Sequence, residues 1–352
     1  MVEPTRRNLD RAIEESINLF GRAKMGTVTA VDPRRPKTVL LALDGSSQDP
    51  FSIAIARQFH KRFGCEVAVV DAREGDGPND LAARVAQSLG RRAEPKTSAD
   101  SYEQILAAVE HSICDLLITP CPYGRDLESV GPDSVGTVID VLLARSPVPV
   151  LVVRKPYEPQ DDLFRQAVII LTAENEAAPD AAAWAAGLIA PRGVLHLVLV
   201  LEREMYENIH ALMQSIAPEM DVSIDSLSHA LARNYMRLHR GLQKAAAEGG
   251  FEYKLNMQVE GEAGPIAAED ASRPTLRVLA LERSDHATQG SVQARIRQSL
   301  HPVLVVCRQQ FGESTQSEGT RSDDELVTTS PLSVIRNRIL RDLRGPSCSS
   351  RR

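Results

Sequence analysis

Val39-Leu40-Leu41-Ala42-Leu43, followed at once by Asp44-Gly45-Ser46-Ser47, is the stretch on which the reading of the fold depends. A continuous apolar run suits a parallel strand buried on both faces, and the Asp-Gly-Ser break ends it. Working outward, Asp49 is placed as the cap of a helix with Pro50 at its first position. Phe51, Ile55, Phe59 and Phe63 repeat every fourth residue along it, and Gly64 stops it. Val67–Val70 reads as the next strand, Asp80–Leu89 as a short helix and Arg91–Lys96 as a weak edge strand. Asp100 and Glu103 form a capping-box pattern before Ile105, Leu106 and Val109. Leu116–Thr119 follows as a strand, Ser134–Arg145 as a helix and Pro149–Val153 as the last strand. The alternation predicts a parallel, doubly wound α/β sheet over residues 37–156.

The same grammar recurs over residues 163–308. Val168-Ile169-Ile170-Leu171 resembles Val39–Ala42, and Val194–Leu201 resembles Glu66–Val70. Pro149-Val150-Leu151-Val152-Val153 returns letter for letter as Pro302-Val303-Leu304-Val305-Val306. A Gly-hydroxyl helix start precedes each, Gly136-Thr137 and Gly290-Ser291. The first strands lie 129 positions apart and the last strands 153, so the second copy carries about 24 more residues, placed around the helical pattern Ile224–Glu248. One fold is duplicated. The expected architecture is two five-stranded, doubly wound, Rossmann-like domains in tandem, with their last strands close together. Residues 1–36 add an amphipathic helix (Leu9, Ile13, Ile17, Phe20) and a linker. Residues 309–352 have the composition of a disordered tail, with a basic amphipathic helix over 331–344. That helix suits a partner or an anionic membrane surface, or docking on its own domain.

Composition narrows the function. The chain of 352 residues has a net charge of −6 and only 4% aromatics, so it has no global attraction for nucleic acid and few stacking platforms. Five cysteines, none in a C-x-x-C pair, suit a reducing cytoplasm better than a disulfide framework or zinc site. The N-terminus lacks the apolar core of a secretory signal, and no apolar stretch approaches the roughly 20 residues of a membrane span. There is no G-x-x-x-x-G-K-[ST], no dinucleotide fingerprint and no G-x-S-x-G, which excludes P-loop, classical dinucleotide and nucleophile-elbow chemistry. His210, His229 and His239 read as surface or core residues. Cys121, between two prolines, reads as an inert thiol or, if exposed, a redox-sensitive one.

In a doubly wound sheet, ligands sit beyond the carboxyl ends of the strands. Two loops there can carry chemistry: Asp44–Ser47, whose carboxylate could accept from ribose hydroxyls or hold a metal, and the run from Pro120 to Gly136-Thr137. The latter opens a helix whose free N–H groups favour phosphate. Asp44 as a turn cap and Gly136 as relief for a tight helix start are the plainer alternatives.

Strand-Asp44-Gly45-Ser46, then Asp115-Leu116-Leu117-Ile118, then Gly136-Thr137 followed by Pro149–Val153, resembles a universal stress protein domain, closely over 37–154 and loosely over 163–308. The resemblance implies a tandem universal stress protein acting in regulation rather than turnover. It implies ATP or AMP in the first copy only. Adenine and ribose would lie near Ala42, Asp44 and the backbone of Val69, and the phosphates on Gly124, Gly136, Thr137 and Val138. The ATP-binding branch reads G-x2-G-x9-G-[ST] in the loop after strand four. Here the first glycine falls on Pro120 or Cys121, and eleven residues separate Gly124 from Gly136 where the family has nine. Asp126, Glu128 and Asp133 add negative charge, and Arg125 opposes it. In the second copy the strand-one carboxylate falls on Thr172 or Ala173, and no glycine precedes Gly290 in the corresponding loop. That copy is expected to serve as a built-in packing partner, an intramolecular pseudo-dimer. A protein partner and a homodimer are further expectations. An interaction scaffold without nucleotide and a slow nucleotide hydrolase are the alternative functions.

Overall fold

The computed structural model describes residues 30–73, 80–98, 100–125, 135–154, 164–171, 175–201, 224–259, 275–283 and 286–307, with positions 203, 207 and 211 besides. The chain divides into a compact unit, Met1–Gln309, and a segment, Gln310–Arg352; all the described residues belong to the first. The amphipathic pattern before residue 30, loop residues 126–134 and the basic pattern 331–344 lie outside the described residues.

The elements, in chain order, are β1 (Thr38–Leu43), α1 (Asp49–Phe63), β2 (Glu66–Asp71), α2 (Asp80–Leu89), β3 (Arg92–Ala93), α3 (Ser101–Ser112), β4 (Leu116–Pro120), α4 (Thr137–Arg145) and β5 (Val150–Val153). They continue with β6 (Gln166–Leu171), α5 (Ala178–Leu188), β7 (Val194–Leu201), α6 (Ile224–Gly249), β8 (Glu252–Val259), β9 (Thr275–Leu281), α7 (His286–Gln298) and β10 (Val303–Cys307). All ten strands join one sheet in the order β3-β2-β1-β4-β5-β10-β9-β6-β7-β8. Every pairing is parallel except β5 with β10, which run antiparallel with Leu151 opposite Leu304. The repeated Pro-Val-Leu-Val-Val strands thus lie side by side at the middle of a continuous sheet.

The continuous apolar runs are explained by what covers them. On one face, α1, α2, α5 and α6 bury Val39, Leu41, Val69, Ile169 and Leu197; on the other, α3, α4 and α7 bury Leu40, Ala42, Leu117, Val150 and Leu279. Helix α5 is buried at every residue except Pro179 and Asp180, which its alanines permit. The segment before β1 presses against it: a Cβ on Gly187 would stand 1.7 Å from the Arg34 carbonyl oxygen, so no side chain fits there. Arg34 N–H donates to Ala183 O (2.9 Å), and its guanidinium pairs with Asp180 (2.7 Å).

Local turns recur at matching positions. Ser46 Oγ accepts from Gln48 N–H (3.3 Å) before α1, and Asn175 Oδ1 accepts from Ala177 N–H (2.8 Å) before α5. Both helices carry proline in their first turn. Ahead of the last strands, Ser146 Oγ donates to Val148 O (2.8 Å) and Ser299 Oγ to His301 O (2.9 Å).

Some local expectations change. Asp49 is not the cap of α1: Gln48 holds that position, and Asp49 begins the helix and turns its carboxylate back to the loop. Asp100 precedes α3 without a side-chain cap bond, and Glu103 accepts instead from Ser98 Oγ (3.2 Å). Helix α4 begins at Thr137 rather than Ser134, because Gly136 takes φ 82°, outside the helical region. Gly290 sits inside α7, which begins at His286, so it opens no helix. Strand β8 was not anticipated, although Glu252–Val259 alternates polar and apolar residues throughout, the pattern of a strand with one buried face.

Candidate functional site

The described loops at the carboxyl ends of β1, β2 and β4 converge on a small set of side chains. Asp44 leaves β1 and is buried to 6% exposure. Its Oδ1 accepts from Ser46 N–H at 2.8 Å, and its Oδ2 accepts from Gly124 N–H, in the loop after β4, at 2.7 Å. Asp49 reaches back from α1, where Oδ1 accepts from Asp44 N–H (3.2 Å) and Oδ2 from Gly45 N–H (2.9 Å). Gly45, at φ 77°, makes the turn that lets both carboxylates face the same loop.

Two further side chains close the crevice. Tyr123 is buried, and its hydroxyl donates to Leu43 O at 2.5 Å, tying the β4 loop to the end of β1. Arg73, just past β2, grips Asp71 through Nε (2.9 Å to Oδ1) and Nη2 (2.6 Å to Oδ2). Its Cδ lies 3.2 Å from where a Cβ on Gly45 would stand, so the guanidinium arm lies across the turn. Lys96 donates to Arg73 O (2.9 Å) from beside it.

This crowding sets the electrostatics. Burial, and then the neighbouring charge of Asp44, push the Asp49 carboxyl up to about 7. Burial, and then Asp44, Asp49 and Asp71, hold the Tyr123 hydroxyl well above its ordinary range, so it remains a donor. The Asp71 carboxylate holds the Arg73 guanidinium more firmly protonated still. Three buried carboxylates face one well-placed arginine. As it stands, the crevice suits a hydroxyl-rich ligand end better than a polyphosphate.

Of the residues singled out in the sequence, Asp44 meets Gly124, and a Cβ on Gly136 would stand 3.5 Å from Pro122 Cβ in the same loop. Ala42 is fully buried in the core on that face of the sheet. Thr137 is exposed and Val138 half-buried at the start of α4. Their N–H groups meet no acceptor among the described residues. Val69 stands apart: it lies two residues short of the end of β2, and its carbonyl accepts from Glu94 N–H at 2.7 Å. The sequence reading missed Asp71, Arg73 and the inward turn of Asp49. A carboxylate ending an apolar strand two positions before an arginine, Val70-Asp71-Ala72-Arg73, was the available signal.

Cys121 is also buried, and burial pushes its thiol up to about 11; the Arg154 guanidinium, 3.6 Å away, only partly offsets this. It stands as an inert thiol, as do the buried free thiols Cys65 and Cys114. In the second block, Ala178 stands at the helix position that Asp49 occupies in the first, and Arg283 leaves β9 to donate to Leu143 O (3.3 Å) and Ser146 O. The corresponding end of β9 is therefore spent on joining the blocks. Two cavities of about 510 Å³ open at the opposite, amino-terminal ends of the strands, one beside Arg91, Arg92 and His111, the other beside Arg35, Lys37 and Phe63. No helix among the described residues is long and apolar enough to cross a membrane.

No protein-family model matches the chain, and no curated protein sequence matches it. Solved structures do. A functionally unknown protein from Pseudomonas aeruginosa superposes with a TM-score of 0.51 at 13% identity, covering 78% of this chain and 93% of that one. A universal stress protein from Archaeoglobus fulgidus superposes at 0.50 with 17% identity, covering 77% of this chain and 96% of that one. The chain has the Rossmann-like fold of universal stress proteins.

Proposed function

We propose that the chain is a regulatory protein of the universal stress type, two copies of one fold in tandem, in which only the first copy keeps a site for an adenine nucleotide, ATP or AMP. The tandem reading rests on the two equivalent strand orders, β3-β2-β1-β4-β5 and β8-β7-β6-β9-β10, and on the turns that recur at matching positions. The observation that carries the nucleotide reading is the meeting of Asp44 with Gly124 at 2.7 Å beside the start of α4. A carboxylate acceptor, a glycine N–H and a helix amino terminus stand within one crevice, the set of groups that ribose and phosphate require. In this reading Asp44 holds Gly124 N–H until ribose hydroxyls and phosphate oxygens take over the two groups. The second copy has alanine in place of Asp49 and an arginine committed to the first copy, so it acts as a packing partner.

A second reading, a scaffold that binds no nucleotide, draws on a specific observation too. Tyr123 and Arg73 fill the crevice, and the buried Asp44 and Asp71 carboxylates repel phosphate. Calorimetry with ATP and with AMP separates the two. The nucleotide reading expects one site per chain and a loss of roughly 10- to 150-fold in affinity in Asp44→Ala, since a charge-assisted hydrogen bond is worth about 1.5–3 kcal/mol. Two equivalent sites, or undiminished binding in Asp44→Ala, would overturn it. Absence of binding at millimolar nucleotide favours the scaffold.

A further inference from the structure

The two ends of the sheet are finished differently. At one end β3 has two residues, Arg92 and Ala93, with the charged Glu94 and then Pro95 directly after them. That is how natural sheets blunt an edge: a short strand, charge and proline. At the other end, among the described residues, the last strand is β8, eight residues long and paired with β7 at every position from Glu252 to Val259 without a bulge. It carries no proline. Its backbone has a definite orientation: Glu252 N–H donates to Gly193 O (2.8 Å), so the even-numbered residues turn their N–H and C=O groups toward β7. Tyr253, Leu255 and Met257 turn theirs outward; Val259 has the same orientation but is buried to 1% exposure, so the open stretch of the edge ends before it.

From this we infer that β8 is a homodimerisation edge: a second copy of the chain pairs with it antiparallel, around a twofold axis at Leu255, extending the sheet across both molecules. The occupant follows from self-complementarity. With the axis at Leu255, the outward-facing residues meet one another, Tyr253 with Met257 of the second copy and Leu255 with its own counterpart. Each such pair can exchange both backbone hydrogen bonds. On the face bearing the even-numbered side chains, Glu252 falls opposite Gln258 and Lys254 opposite Asn256, so no like charges oppose. Moving the axis to Tyr253 drives the second copy into Gly250, the left-handed turn (φ 68°) that ends α6. Moving it to Met257 leaves only the end of the strand paired. The Lys254–Glu252 ion pair within each copy (3.1 Å) remains compatible with the Leu255 register. The inference is independent of nucleotide binding.

The register makes the test specific. Sedimentation or light scattering from low micromolar to several hundred micromolar protein should show a monomer–dimer equilibrium. Gln258→Glu places two Glu–Glu pairs across the axis and should weaken the dimer roughly 2- to 30-fold; Gln258→Lys places two Glu–Lys pairs there and should tighten it by a similar factor. Salt should shrink both effects. Leu255→Pro removes an outward N–H and should abolish dimers; circular dichroism checks its fold, and the charge variants stand if it fails to fold. Hydrogen exchange of the Tyr253, Leu255 and Met257 amides should slow as concentration rises. A monomer at every concentration overturns the inference. So does a dimer indifferent to the charge at position 258, with those amides exchanging freely, since its contact then lies elsewhere.

Discussion

Asp49 carries a carboxyl group that prefers to keep its proton. In an unfolded chain it titrates near 3.8, and in the folded crevice burial and Asp44 raise it to about 7. The charged and titratable groups around it are Asp44 on its own loop, Asp71 and Arg73 from β2, and Tyr123 from the β4 loop. The sign follows from linkage. Below about pH 4 both states hold the proton and the fold keeps its full stability. Between pH 4 and 7 only the unfolded state ionises, so stability falls as pH rises, and the loss is complete above about 7. The shift corresponds to a few kcal/mol at most, at about 1.4 kcal/mol per pKa unit. Thermal unfolding should therefore show a higher Tm at pH 5.5 than at pH 8, and Asp49→Asn should narrow that difference. A wild-type Tm rising across this range would contradict the assignment. The sequence placed an acid at a helix start; its pairing with Asp44 depends on Gly45 turning the chain, which no periodicity records.

Among the elements, α5 and α7 each contain a glycine, and the two should respond oppositely to alanine. Gly187 in α5 lies under the Arg34 carbonyl, where a methyl group has no room. Gly187→Ala should displace residues 31–36 and cost roughly 1–3 kcal/mol, as overpacking does. Gly290 in α7 has nothing within 4 Å of the added Cβ, so Gly290→Ala should stabilise by about 0.5–1 kcal/mol through helix propensity alone. Urea titrations of the two variants beside the parent give both numbers; equal effects at the two sites would refute the packing described for α5. The helix Asp80–Leu89 was legible to the residue, because its apolar stripe and its neighbours carry local signals. The start of α7 was not: His286–Gln289 carry no cap signature, and the helix is set by packing Val292 and Ile296 against the sheet.

Across the whole molecule, the antiparallel seam of β5 and β10 joins the two blocks, and we expect them to unfold as one body. Leu151 and Leu304 sit opposite each other there, both fully buried. Arg283 reaches from β9 to the end of α4, Gln293 Nε2 donates to Asp140 Oδ1 at 2.8 Å, and Arg62 of α1 donates to Leu188 O at 2.9 Å. Phe59 and Phe164 meet edge to face at 6.1 Å between centroids. The single tryptophan, Trp184, lies in α5 of the second block, so its fluorescence reports that block while far-ultraviolet circular dichroism reports both. The two probes should give coincident urea transitions. Leu304→Ala should lower both midpoints together, by about 2–5 kcal/mol in stability. Separate transitions would mean that the seam does not couple the blocks.

The alternation of strands and helices, the recurrence of the Pro-Val-Leu-Val-Val strand and the burial of nearly every apolar run are legible in the amino-acid order alone. These are properties of one element at a time: burial on both faces demands unbroken apolar residues, and burial of one helix face demands their fourfold repeat. Asp44, which breaks an apolar run, and Gly136, ahead of a helical pattern, stand out locally, whereas Gly124 gained its role from the resemblance to universal stress proteins. The recurring last strands could be expected to pair about a twofold axis, but their register, the place of β8 at the far end of the sheet and the reach of Arg73 across the crevice emerge only from the folded chain. Partners, registers and the direction of a side chain depend on residues distant along the chain. The alternation of Glu252–Val259 marks a strand with one buried face but not its place in the sheet, and a carboxylate's proton is held by burial and by charges that sequence proximity does not reveal.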